Sequence, residues 1–163
     1  MTNKLLSRKI EEMADTDQKT RKLWLKKTNN DFLQPLVYCV DVANNYLIKE
    51  IIKECGFPKK ENIGAKTLKK FWLLVQHQDL DLKLQKECLE NCDFDLKEKA
   101  YLTDRILLSE GKKQIYGTQF HKNKGKLVPR PIKNRKELEN LRKSAGLEPF
   151  SEYKKKMSNL FPF

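Results

Sequence analysis

Between Ala65 and Leu84 the large apolar residues recur at helical spacing, each position advancing about 100° around the axis. Two stripes result. Leu68, Phe71, Trp72, Val75 and Leu82 form one, with Asp79 in its middle. Leu73, Leu74, Leu80 and Leu84 form the other, with His77 in its middle. A helix with one apolar stripe lies on a surface, whereas one with two is sandwiched. The pattern therefore predicts a central helix, open to a break near Asp79, that carries His77 and Asp79 on buried faces. Ionisable groups placed there need partners.

The flanking segments read as further helices. Leu6, Ile10, Met13, Leu23 and Trp24 mark a first helix from Leu5 to about Thr28, with Asp15-Thr16-Asp17 as a break or second cap, and Thr28 to Asp31 forms a polar joint. Pro35 suits the first turn of a second helix, whose inward face is expected at Leu36, Val37, Val40, Ala43, Leu47, Ile51 and Ile52. Gly56-Phe57-Pro58 ends it, and 59–64 reads as a loop. Asp95 is a good N-cap for a helix through Leu108, with Leu96, Ala100, Ile106 and Leu107 inward, and Ser109-Glu110-Gly111 closes it.

The character then changes. Gln114 to Phe120 and Leu127 to Ile132 are β-prone runs around a Lys/Asn/Gly turn, which predicts a hairpin. Asn134 is expected to cap a helix through Ser144, Gly146 to end it, and Glu148 to Met157 to form a last helix before a tail at 158–163. The fold expected is mainly α: a single compact helical domain over 1–163, of about six or seven helices, with one small β-hairpin near residues 113–132.

Composition changes this picture little. The 163 residues fit one core, and no apolar run approaches the ~20 residues of a membrane span, so no membrane insertion is expected. The N-terminal segment lacks the apolar core of a secretory signal, and Cys39, Cys55, Cys88 and Cys92 read as reduced thiols, which together predict a cytoplasmic protein. The net charge of +12 is attractive to polyanions, but its lysines are spread along the chain among 22 acids. A basic surface for nucleic acid remains an alternative.

Candidate chemistry centres on His77, because an imidazole can take or give a proton near neutral pH. On a continuous helix Asp81, four residues on, is within its reach, while Asp79 points the other way. Tyr101, Asp104 and Arg105 are neighbours on the later helix, and an arginine suits a carboxylate or phosphate. Gln114, Tyr116, Gly117, Thr118 and Gln119 offer hydrogen-bonding groups beside a glycine that admits close approach of a ligand or backbone. Phosphate-binding loops, dinucleotide fingerprints, serine-hydrolase elbows and His-Glu-x-x-His zinc motifs are missing. The sequence names no cofactor, no metal ligand set and no oligomeric state.

Gln76-His77-Gln78-Asp79, Leu102-Thr103-Asp104-Arg105 and Gln114-Ile115-Tyr116-Gly117-Thr118-Gln119 together resemble a bacterial family of uncharacterised proteins that carry a domain of unknown function. Asp17 to Arg21, Gly56-Phe57-Pro58, Gly64, Arg142 and Gly146-Leu147 are similar to the same pattern, over about residues 10–155. The resemblance implies no activity; it implies only that these polar residues form an interior constellation.

The function expected is a hydrolase or group-transfer enzyme acting on a polar or anionic small molecule or peptide. His77, Asp79, Asp81 and Asp104 are its candidate catalytic residues, and Arg105, Gln114, Tyr116, Gly117, Thr118 and Gln119 its candidate substrate contacts. The alternatives are a basic module for nucleic acid or another polyanion and a non-enzymatic structural or partner-binding protein.

Overall fold

A computed structural model describes residues 2–26 and 31–160. The expected end of the first helix at Lys27-Thr28, most of the joint up to Asp31, and residues 161–163 of the expected tail lie outside them, whereas 158–160, also expected in the tail, belong to the last helix. The described residues form seven helices and one two-stranded antiparallel hairpin: α1 (Asn3–Lys26), α2 (Leu33–Cys55), α3 (Lys60–Gln76), α4 (Leu82–Asn91), α5 (Leu96–Ser109), β1 (Phe120–Asn123), β2 (Lys126–Pro129), α6 (Leu138–Ser144) and α7 (Phe150–Leu160). The mainly α fold is as expected. The chain divides into two compact units, 1–94 and 95–163. None of the described helices is long and apolar enough to cross a membrane.

In the unit 1–94, α1 packs against α2 and α3, and α3 also packs against α4. α1 is unbroken at Asp15 to Asp17, and its inward stripe is Leu6, Ile10, Ala14 and Asp17. The apolar stripe thus continues into a carboxyl group rather than stopping there. On α2 the inward face is Leu33, Val37, Asn44, Ile48 and Ile51, while Leu36 and Leu47 are exposed. The face differs from the expected one because a purely apolar count passes over Asn44.

The central helix is shorter than its periodicity suggests. It kinks at Gly64, whose φ of 75° is left-handed, and ends at Gln76. The last carbonyls of a helix lack intrahelical donors. Here the backbone amides of His77 and Gln78 turn back onto the Leu74 and Val75 carbonyls at 3.2 and 3.0 Å, and side-chain amides add second donors: Gln78 Nε2 to Leu74 at 3.1 Å and Gln85 Nε2 to Val75 at 3.3 Å. Asp81 then N-caps α4, its Oδ1 accepting from the Leu84 amide at 3.0 Å. Phe71, Leu74 and Val75 are buried as a sandwiched helix requires, but Leu80 and Asp79, beyond the break, are exposed.

In the unit 95–163, α5 starts with a capping box between Asp95 and Glu98. Ala100, Leu102 and Ile106 face inward; Leu96, expected there, is exposed. The hairpin pairs Phe120 with Pro129 and Asn123 with Lys126 around Lys124-Gly125, both at positive φ, as a two-residue turn of this hand requires. The strands are displaced from the expected runs: β1 holds only the last residue of the first run and continues through 121–123, which were expected in the turn, while β2 takes Lys126 and the start of the second run. Among the described residues, an isolated parallel bridge joins Gln114 to Ile132. α6 starts at Leu138, later than expected, because Asn134 Oδ1 accepts from the Lys136 amide in a preceding turn.

Candidate functional site

A cleft of about 540 Å³ opens in the unit 1–94, lined by residues of α2 and of the 77–81 break, including Tyr38, Asp41, Asn45, Lys49, His77, Asp79 and Asp81. The break is what puts His77 on its wall, since a continuous helix would have enclosed the ring in a second buried face. His77 does not pair with Asp81. Its Nδ1 lies 3.1 Å from the carboxyl group of Asp17, on α1. Among the described residues, Nε2 has no hydrogen-bond partner. Asp81 instead faces α2, where Lys49 Nζ is 2.5 Å from Oδ2 and Asn45 donates to the same oxygen at 3.2 Å.

Asp17 is the hub. It is 1% exposed, and besides His77 it accepts from Arg21 Nε at 3.0 Å and from Gln18 Nε2 at 2.8 Å. Arg21 reaches across to Asp41 on α2 with its Nη2 at 2.5 Å. One guanidinium therefore bridges two carboxyl groups, and they respond in opposite directions. Burial pushes Asp17 up, but the His77 hydrogen bond, the charges of His77 and Arg21, and the Gln18 amide together hold it below the usual carboxylate range. Burial also pushes Asp41 up, and there the Arg21 interaction does not overcome it. Such divergent carboxyl groups are a common basis for acid–base assignments.

Donor atoms of Asp17, Asp41 and His77 lie within 4.8 Å of one another. That set has the composition of a divalent-cation site. Arg21 already contacts both carboxyl groups, so an ion would have to displace a guanidinium.

The unit 95–163 gathers the other sequence candidates into one hydrogen-bonded loop. Asp104, fully buried on α5, accepts from the amides of Ile115 at 2.7 Å and Tyr116 at 3.0 Å on Oδ1. Its Oδ2 accepts from the amide and the hydroxyl of Thr118, both at 2.9 Å. Gln114 closes the loop: its Oε1 accepts from the Gln119 amide at 2.9 Å, and its Nε2 donates to the carbonyls of Gln119 and Arg130. Arg105 is half-buried beside Asp104 on the same helix.

A sequence model of a family of unknown function, DUF6624, matches residues 3–162. The chain belongs to that family. No curated protein and no solved structure matches it. The DUF6624 region therefore takes in α1 to its start and both units.

Within this DUF6624 chain, Arg142 of α6 is a further anchor of the 114–119 loop. It is 1% exposed, donates from Nη1 to the Tyr116 carbonyl at 2.6 Å and from Nε to the Glu148 carbonyl at 2.8 Å. Its guanidinium lies 5.0 Å from the centre of the Tyr153 ring, and Tyr153 donates its hydroxyl proton to the Thr118 carbonyl. The close approach expected at Gly117 is made by the chain itself. Gly117 has φ of 68°, and a Cβ there would sit 2.8 Å from Cε2 of Phe150. Gly117→Ala is accordingly expected to cost about 2–3 kcal/mol, combining left-handed strain with overpacking. Urea denaturation measures it, and a cost below about 1 kcal/mol would mean that the Phe150 ring gives way freely.

Asp17 and Arg21 entered the sequence reading only through the family-like pattern, not as site residues, and Asp41 did not enter it. A signal for the first two existed: Asp17 continues the Leu6, Ile10, Ala14 stripe, and Arg21 follows it by one turn. Asp41 carried no such mark, because its role depends on how α2 lies against α1.

Proposed function

We propose that this chain is a hydrolase or group-transfer enzyme in which His77 carries the proton. The observation behind the reading is the Asp17–His77 pair beside the cleft. A buried carboxylate holds one ring nitrogen of a half-buried histidine, while the other nitrogen has no partner among the described residues. A proton on Nδ1 donated to Asp17 selects the tautomer whose lone pair is on Nε2. When Nε2 takes a proton from water or a substrate hydroxyl, the charge of Asp17 stabilises the resulting imidazolium. Asp41 borders the same cleft, and its burial disfavours the charged form there.

The cleft narrows the substrate class. Its lining sets Asp41, Asp79 and Asp81 against Lys49, and Lys49 is already engaged with Asp81. This favours a polar substrate that is neutral or positive at the reacting end. The anionic substrate expected from Arg105 rests on a residue of the other unit. Asp104 and the 114–119 loop are assigned a scaffolding role, because the loop's amides and side chains already occupy both oxygens of Asp104.

The test is turnover by the purified chain on a panel of chromogenic esters, amides, glycosides and phosphodiesters, repeated with His77→Gln. Turnover that disappears in a folded His77→Gln variant supports the reading. Turnover indifferent to His77 refutes it, as does none on any class together with a large loss of melting temperature in the variant, which would make the network a staple for α1, α2 and α3.

Stability against pH separates the two carboxyl groups. Asp17 is lowered in the folded state, so its contribution is present above its unfolded value and is lost as pH falls through the folded one. Asp41 is raised, so ionising it costs stability, and that cost disappears in acid. Asp41→Asn is expected to raise the melting temperature slightly at pH 7 and to match the parent near pH 3, where both positions are neutral. A lower melting temperature at pH 7 would show that the Arg21 pairing outweighs burial.

A further inference from the structure

We infer that the hairpin of the unit 95–163 is a docking surface for double-stranded DNA, which it holds through the phosphates without reading sequence. The charge is less evenly spread than the lysine content of the whole chain suggests. The unit 95–163 carries +9 of the net +12, and the unit 1–94 only +3. Between Glu110 and Glu137 stand nine Lys or Arg and no Asp or Glu, and all nine are exposed. Lys112 pairs with Glu110, and Lys122 is also engaged; among the described residues none of the other seven is in an ion pair. Uncompensated like charges repel one another, and a bound polyanion relieves that repulsion.

The tip of the hairpin carries a second mark. Among the described residues Lys124 is the one non-glycine residue at positive φ, 48°, where a two-residue turn prefers Asn or Gly. A Cβ is strained there, so the turn keeps a cation at its tip against its own conformational preference. The apolar groups nearby are turned inward: Phe120 packs on Phe150 and Tyr153, and no large apolar side chain of 111–136 is exposed. That leaves no platform for unstacked bases and no apolar wedge for a membrane. Seven of the nine cations are Lys, point charges that meet phosphate without the planar fork by which arginine reads guanine. Side chains alternate along a strand, so Lys126 and Arg130, whose amide extends the pairing to the Gln119 carbonyl, share the face opposite Phe120. A two-stranded ribbon fits the major groove of B-form DNA, about 12 Å wide, whereas that of A-form RNA is too narrow.

Fluorescence-anisotropy titration of the full chain against a labelled DNA duplex of about 20 base pairs tests this, with log K followed against log salt. The duplex is expected to bind with a slope of about −4 or steeper, and a duplex of scrambled sequence to bind within about twofold of it. Lys124→Asn should make the slope shallower by about one and weaken binding about threefold. Its melting temperature should hold or rise, because asparagine suits the left-handed position. Joint replacement of Lys126, Arg130 and Lys133 by Gln should weaken binding at least about tenfold. Joint replacement of Lys22, Lys66 and Lys69 by Gln, which takes the same charge from exposed lysines of the unit 1–94, should weaken it less than about twofold. The inference is overturned if the duplex does not bind at about 50 mM salt, if the two triple variants lose affinity equally, or if Lys124→Asn leaves the slope unchanged. It is equally overturned if duplex RNA, single-stranded DNA or vesicles of phosphatidylcholine with phosphatidylserine bind as tightly as the DNA duplex.

Discussion

Asp104→Asn is expected to lower the stability of the unit 95–163 by about 4 kcal/mol or more, with a fall in melting temperature of roughly 10 °C or more. The carboxyl group accepts from three backbone amides and one hydroxyl at 2.7–3.0 Å, with no exposure to water. Asparagine keeps one oxygen. The other becomes an amide nitrogen that points its own hydrogens at whichever pair of donors it meets. On the Ile115 and Tyr116 side two amides lose their acceptor; on the Thr118 side the hydroxyl can rotate to accept, but the amide cannot. Each orphaned amide costs about 1–3 kcal/mol, and the electrostatic clash adds to that. Thermal melting, together with hydrogen exchange at the Ile115, Tyr116 and Thr118 amides, measures the effect. A variant that melts within about 2 °C of the parent but has lost turnover would return Asp104 to the reacting groups and remove the scaffolding assignment.

The second large effect is expected at Asp17. Asp17→Asn keeps the shape of the side chain and can still meet Arg21 or His77 through its remaining oxygen. What it loses is the charge that favours an imidazolium, and its amide can hold the ring in the wrong tautomer. Turnover should fall by about 10²–10⁴, with the larger part in kcat. The variant should also lose about 2–3 kcal/mol of stability, because Arg21 and His77 lose a buried anionic partner. The two effects are separable: His77→Gln should lose a similar factor in turnover with a smaller stability loss, since Arg21 then keeps Asp17 paired. If Asp17→Asn retains more than about a third of parental kcat on a substrate that His77→Gln cannot turn over, the pair does not work as a dyad.

Where sequence reasoning succeeded, the signal was local. Asp95 with Glu98 three residues on is a complete capping box within four residues, and Gly56, Gly111 and Gly146 each take positive φ at or just past a helix end. Lys124-Gly125 was likewise readable as a tight turn. Where it failed, a distant group intervened. At the break after Gln76 the backbone amides of His77 and Gln78 and the side-chain amides of Gln78 and Gln85 fold back onto the end of α3, and no periodicity registers that. Gln114, Tyr116, Gly117, Thr118 and Gln119 read as ligand contacts because polar side chains stand there beside a glycine that admits close approach. Their partners turned out to be Asp104, Arg142 and Tyr153 of the same unit.

The sequence by itself determined the helical class, the hairpin, the family and the choice of His77 as the candidate proton carrier, because periodicity, caps and turn residues act over a few positions. The tertiary structure alone decided what His77 touches. Asp17, Arg21 and Asp41 are 60, 56 and 36 positions away from it in the chain, and only the packing of α1 and α2 around α3 places their charges beside the ring. A carboxyl group's environment is set by what burial removes and what neighbours return, and both are properties of the packed unit rather than of any one stretch of the chain.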